Sequence, residues 1–324
     1  MIDRNDNPDF LNDFLDYTVT ILNKSENTVK EYNYDLAHFL KYMCYHFKLT
    51  NEEDIKKIEI KNITIDDLKL IKLPDIHSFL AYLKTTYRSK PATLARKVAS
   101  IRVFFNYITK KAKLLDINPA QDLETPKLDK RLPKYLTLEE SKKLLETASD
   151  EESRNSSRNF AMLTLFLNCG MRLSELVNIN ISDIDFSNYK LNVIGKGNKE
   201  RTIYLNEACI KALKSYLADR PKDGVKFNSK DALFLSEQRK RISNRTVQYV
   251  VYEELKKTGL DVHKYSTHKL RHTAATLMYK YGHVDIRALQ ELLGHESIST
   301  TEIYTHVDND QIRSAVENNP LGKL

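Results

Sequence analysis

Apolar residues in the first third of the chain recur every three or four positions, the spacing of one face of an α-helix. Phe10, Phe14, Leu15, Thr18 and Leu22 mark a first such face. Val29, Tyr32, Leu36, Phe39, Leu40 and Met43 mark a second over residues 25–45, and Ser25 or Asn27 can cap its start. A third helix is expected over 76–87, after Pro74. A fourth begins at Pro91 and runs to Lys110, with Val98, Ile101, Phe104, Phe105 and Ile108 inward and Arg96, Lys97, Arg102, Lys110 and Lys111 on the remaining surface. Residues 50–73 are polar and β-branched and read as a loop with one short element. The first glycine is Gly170, so this half lacks glycine turns and suits four or five packed helices.

The period then breaks. DINPAQDLETPKLDKRLPKYLT, residues 116–137, carries three prolines. It predicts a linker at 119–136 between a helical domain at 1–118 and a second domain at 137–324. The second domain mixes periods. Thr137 and Glu140 have capping-box spacing. Helices are expected at 160–167, 174–176, 207–217, 243–258, 267–281 and 286–293, with a short helix or turn at 300–306 and another at 310–317. LNVI (191–194) and TIYL (202–205) read as two short strands joined by the basic turn GKGNKER. The fold class expected is mostly α with a small β-sheet: a helical domain followed by a mixed α/β domain.

Composition narrows the class. A chain of 324 residues with 41% hydrophobic and 29% charged content can bury cores and is not disordered. The formal charge of +7 permits a polyanionic partner, and its distribution favours one: Lys84 to Lys134 holds 13 basic residues against four acidic ones. Lys90, Arg96, Lys97, Arg102, Lys127, Lys130, Arg131, Lys199, Arg201, Arg241 and Arg245 are the candidates for phosphate contact. Cys44, Cys169 and Cys209 form no CxxC pair, which argues for buried thiols rather than a disulfide framework. No signal-like or 18-residue apolar run is present, so a cytoplasmic chain with no membrane span is expected.

Several polar residues sit in unusual settings. Arg172 follows the apolar run AMLTLFL and needs an anionic partner, either Glu175 or a ligand. The turn GKGNKER places Lys196, Lys199 and Arg201 together, either as an exposed charged tip or as cations aimed at phosphate. His268 and Arg271 share a helix face. His268 and His272 have the spacing of a zinc-protease pair, but Lys269 stands where the catalytic glutamate would be. His295 follows the helix-ending Gly294, and Tyr304 lies nine positions on. Fixed cations, a proton donor and a tyrosine oxygen are what phosphoryl transfer without a metal requires.

The motifs CGMRLSEL, VIGKGNKER, STHKLRHTAATLM and LLGHESISTTEIYTHV, in that order, resemble those of the tyrosine recombinases, and within them the Xer-type and phage-integrase-like enzymes. SENTVKEYNYDLAHFLKY and ATLARKVASIRVFFNYI resemble the family's N-terminal, SAM-like core-binding helices. The resemblance implies catalytic roles for Arg172, Lys196, His268, Arg271 and His295, with Tyr304 as nucleophile and Glu175 orienting Arg172. It implies strand exchange in duplex DNA through a 3′-phosphotyrosyl link and a Holliday junction, with no cofactor, metal or ATP. It further implies a tetramer on DNA, homomeric or shared with a second recombinase, an accessory activator in some systems, and a C-terminal exchange helix at about 309–318. An Xer-like role in chromosome dimer resolution at the nucleoid is expected. The alternatives are a mobile-element integrase or excisionase, a topoisomerase-like nicking enzyme, and a DNA-binding protein without cleavage.

Overall fold

The computed structural model describes residues 4–127, 134–149, 155–195, 199–282, 284–295 and 297–307. Lys130, Arg131, Lys196 and the segment 309–318 lie outside the described residues. The chain divides into two compact units, Met1–Lys130 and Arg131–Leu324.

The first unit is helical: α1 (Asp9–Thr20), α2 (Glu26–His46), α3 (Ile65–Lys69), α4 (Leu73–Thr86) and α5 (Pro91–Lys110). Ser25 caps α2 by accepting from the Thr28 amide at 3.3 Å. The apolar faces of α1, α2, α4 and α5 meet in one core around Phe14, Phe39, Phe79, Phe104 and Phe105. Each such side chain contributes about 1.5–3 kcal/mol on burial. One boundary is corrected. Helix α4 starts at Leu73, not after Pro74, because a proline in the first turn sacrifices an amide that had no partner anyway. The stretch 50–73 is a loop with one short element, α3, and Ile55, Ile58, Ile60, Leu68 and Ile71 are buried, which pins it to the core.

Lys97 is a second correction. It does not lie on the basic surface but is 3% exposed, with its ammonium 2.8 Å from Asp35, itself 1% exposed. Arg96 and Ser100 complete the partners of that carboxylate at 2.8 and 2.9 Å. An aspartate on the inner face of α2 needs these donors, and they draw α5 inward. Arg102 bonds Thr125 at 3.0 Å and the Leu123 carbonyl, tying down the chain beyond α5. Lys90 and Lys127 are exposed.

The second unit opens with α6 (Leu138–Ser149), α7 (Ser156–Cys169) and α8 (Leu173–Asn178). The Thr137–Glu140 capping box forms, with reciprocal bonds of 2.8 and 3.1 Å. Strands β1 (Ile184–Asp185), β2 (Lys190–Ile194) and β3 (Glu200–Tyr204) form an antiparallel sheet in the order β1-β2-β3. The two-residue β1 is too short for a sequence signature. Leu191, Val193 and Ile203 point to the core, while Asn192, Ile194 and Tyr204 face solvent. Helices α9 (Glu207–Asp219), α10 (Asn244–Lys257), α11 (Thr267–Tyr281) and α12 (Ile286–Leu293) follow. The core runs from Leu136 through α7, the sheet, α9 and α10 to Leu270. Cys169 and Cys209 meet within it as thiols, sulfur to sulfur at 3.7 Å. No helix among the described residues is long and apolar enough to cross a membrane.

Candidate active site

Two glycines set the backbone of the site. Gly170 ends α7 at φ +60°, and Gly294 ends α12 at φ +64°. Left-handed caps of this kind suit glycine because it has no Cβ to clash. At the end of α12 the turn directs the Gly294 amide to the Gln290 and Glu291 carbonyls, and the His295 amide to Gln290. The next three carbonyls each accept from a different arginine. Arg201 bonds Leu292, Arg271 bonds Leu293 at 2.6 Å, and Arg172 bonds Gly294. A helix C-terminus is the negative end of its dipole and leaves carbonyls without helical partners, so it suits cations.

Glu175 is the second anchor. Its carboxylate, 2% exposed, accepts from the Arg172 amide at 2.7 Å, the Arg172 guanidinium at 2.7 Å and the Arg201 guanidinium at 2.9 Å. Arg271 stands 4.0 Å away and also bonds the Gly170 carbonyl at 2.7 Å. Burial alone would raise the Glu175 pKa, but the hydrogen bonds and charges of Arg201 and then Arg172 more than offset this and hold it below the usual range. Arg271 is pushed down to about 10, by burial first and then by Arg172. It is a cation at neutral pH all the same. Three guanidiniums thus surround one carboxylate, and the excess positive charge suits an oxyanion.

The basic turn predicts Arg201 as an exposed tip cation or a phosphate contact. The structure corrects this, since its guanidinium is committed to Glu175 and Leu292 and its side chain is only 13% exposed. The signal was available. Residues 201 and 203 lie on one face of β3, Ile203 is buried, and Arg201 pairs with buried Val193. Arg241 is likewise spent on the Val177 and Ile179 carbonyls, both at 3.0 Å, and on Asn180. Lys199 and Arg245 are exposed. Gly195 follows β2 and precedes Lys196 in the sequence, and a Cβ at Gly195 would lie 3.6 Å from Glu175 and 3.8 Å from Arg172.

The histidines and the tyrosine surround the arginines. His295 bonds Thr301 through Nδ1 at 2.9 Å. Burial, then the charges of Arg271, Arg172 and Arg201, push its pKa to about 4. His268, at the start of α11, keeps an exposed edge, and partial burial and then Arg271 lower it too. A cavity of about 430 Å³ opens among Arg172, Lys199, Arg201, His295 and Thr300. Tyr304 lies on the 3₁₀ turn Glu302–Val307, 1% exposed, with its ring against Ala275, Leu289 and Leu293. Burial raises its pKa to about 12, a rise opposed by the charge of Arg271. Its hydroxyl meets His272 Nδ1 at 2.7 Å. In the sequence His272 stands out only through its zinc-protease spacing from His268. The structure thus gathers Arg172, Glu175, His268, Arg271, His295 and Tyr304 in one region of the second unit and adds Arg201 and His272.

Comparisons with known proteins place the chain in a family. The family described as "Phage integrase family" matches residues 134–311, and "Phage integrase, N-terminal SAM-like domain" matches residues 11–112. The chain is 53% identical over 317 residues to tyrosine recombinase XerC of Caldanaerobacter subterraneus subsp. tengcongensis, covering 98% of this chain and 88% of that protein. It is 35% identical to tyrosine recombinase XerD of Halalkalibacterium halodurans, covering 94% of each. Among solved structures, the XerH site-specific recombinase bound to palindromic difH substrate in a post-cleavage complex superposes with a TM-score of 0.72. That match has 25% identity and covers 95% of this chain and 83% of that one. The chain therefore belongs to the phage integrase family of tyrosine recombinases.

Proposed function

We propose that this chain is a site-specific recombinase that cuts and rejoins duplex DNA, with Tyr304 as the nucleophile. The observation that carries the reading is the set of three arginines on Glu175 and the end of α12, with Tyr304 on the turn that follows. In the cleavage step the Tyr304 oxygen bonds to the scissile phosphorus as the bond from phosphorus to the 5′ oxygen breaks. The phenolic proton passes to solvent, and the departing 5′ oxygen gains a proton from Lys196. Arg172 and Arg271 hold the non-bridging oxygens, and Glu175 keeps Arg172 in place. His268 and His295, neutral at rest, donate hydrogen bonds to the charge that develops. A 5′ hydroxyl from the partner strand reverses the step, so the energy of the broken bond is kept in the tyrosyl phosphate.

Two such exchanges through a Holliday junction complete recombination. We assign the chain to two units with separate tasks, a helical DNA-binding unit and a catalytic unit. We also propose a tetramer on two DNA sites, with residues 309–318 exchanged between neighbours. The exposed Lys90, Lys127, Lys199 and Arg245 are the preferred phosphate contacts among the described residues. Identity to proteins named XerC and XerD favours chromosome dimer resolution, at the nucleoid, over mobile-element transfer.

The test is covalent trapping on a duplex nicked beside the cleavage site. The unaltered protein forms an adduct that survives denaturing electrophoresis. Tyr304→Phe binds the same duplex and forms none. An adduct from that variant would remove Tyr304 from its role.

A further inference from the structure

We infer that His272 is a positioning residue for strand cleavage: its Nδ1 accepts a hydrogen bond from Tyr304 and so sets the direction of the oxygen's lone pairs. The inference rests on the reading of Tyr304 as nucleophile.

The turn Glu302–Val307 is a 3₁₀ element, whose hydrogen bonds are poorer than those of an α-helix, so its backbone holds the tyrosine weakly. Ala275, Leu289 and Leu293 grip the body of the ring. None of these apolar contacts orients the hydroxyl. His272 does, at 2.7 Å, a normal hydrogen-bond distance. A phenol has one proton. Once that proton points at His272, the lone pairs are directed elsewhere and are free for attack. His272 is mounted on α11, the 15-residue helix that also carries His268 and Arg271. The acceptor for the nucleophile and the clamp for the phosphate are therefore parts of one rigid body. The His268 ring packs edge-on against His272, centroids 4.5 Å apart, and limits its rotation.

To accept through Nδ1, His272 must be neutral with its proton on Nε2. Burial, then the charges of His268, Lys269, Arg271 and His295, push its pKa to about 4 and keep it neutral. The same shift argues against His272 as the base that removes the phenolic proton. It holds a proton too weakly to take one from a phenol raised to about 12. The role is orientation.

The experiment measures single-turnover adduct formation at saturating DNA. The probe is a nicked duplex selected from a random library for cleavage by the unaltered protein. His272→Phe keeps the ring volume and removes the acceptor, and it should cleave roughly 100-fold more slowly with unchanged DNA affinity. His272→Asn places an amide near the Nδ1 position and should restore most of the rate. Cleavage by His272→Phe at or above the unaltered rate overturns the inference; a faster rate would mark the contact as a restraint on the tyrosine. It is also overturned if His272→Asn, folded by circular dichroism, is as slow as His272→Phe, because packing then explains the loss. Tyr304→Phe in the same assay separates the two readings. If it forms an adduct, the assignment of the nucleophile fails. If it forms none while His272→Phe cleaves normally, only the role of His272 fails.

Discussion

Glu175→Gln tests the electrostatic design of the site. The substitution keeps the shape of the side chain but removes the charge and turns an amide donor toward guanidinium donors. Glu175 now serves Arg172 and Arg201 at 2.7 and 2.9 Å, with Arg271 at 4.0 Å. Breaking a buried ion pair by removing one partner costs about 3–5 kcal/mol. Arg172 is 29% exposed, so water takes up part of its charge. The lower end, about 3 kcal/mol, is therefore expected. For a unit of this size each kcal/mol moves Tm by about 2–4 °C, so the second unit should melt about 6–12 °C lower. Calorimetry on the full chain at neutral pH measures this. The pH dependence adds a second check. The Glu175 carboxyl is held below its ordinary value of 4.5. Its contribution is therefore complete above that value and is lost as pH falls through the lower folded value. The gap between the two proteins should narrow in acid. An unchanged Tm at neutral pH, or a gap of constant size down to about pH 3, would refute the reasoning.

Other outcomes follow from the same geometry. Lys97→Met leaves Asp35 with Arg96 and Ser100 and should cost about 2 kcal/mol in urea unfolding while DNA affinity stays the same, because the ammonium is buried. Gly294→Ala forces φ +64° on an L-residue and sets its Cβ 3.0 Å from Arg201 Cδ. It should lower stability by about 1–2 kcal/mol in the same urea assay and slow adduct formation. Lys196→Ala should slow cleavage of ordinary DNA, and a 5′-bridging phosphorothiolate, whose leaving group needs little protonation, should restore much of the rate.

Elements with strong periodicity and caps were legible before the structure. Helices α2 and α6 start where Ser25 and the Thr137–Glu140 pair say they should. The failures have physical causes. The start of α4 was misplaced because Leu73 and Pro74 stand ahead of its apolar period. Strand β1 has two residues and no pattern to read. Lys97 and Arg201 looked like surface cations because charge is usually exposed, and only a tertiary partner, Asp35 or Glu175, overrides that preference. In the site, motif order pointed to Arg172, His268, Arg271, His295 and Tyr304. Apart from Glu175 it could not point to their acceptors, because a main-chain oxygen has no letter in the sequence.

That last point has a consequence for variation at the end of α12. Because the oxygens of 292 and 293 belong to the peptide chain, swapping either leucine for another helix-tolerant residue leaves the hooks for Arg201 and Arg271 in place. Drift in those letters is thus cheap for the chemistry, whereas an insertion or deletion that rotates the helix end would unseat all three guanidiniums together.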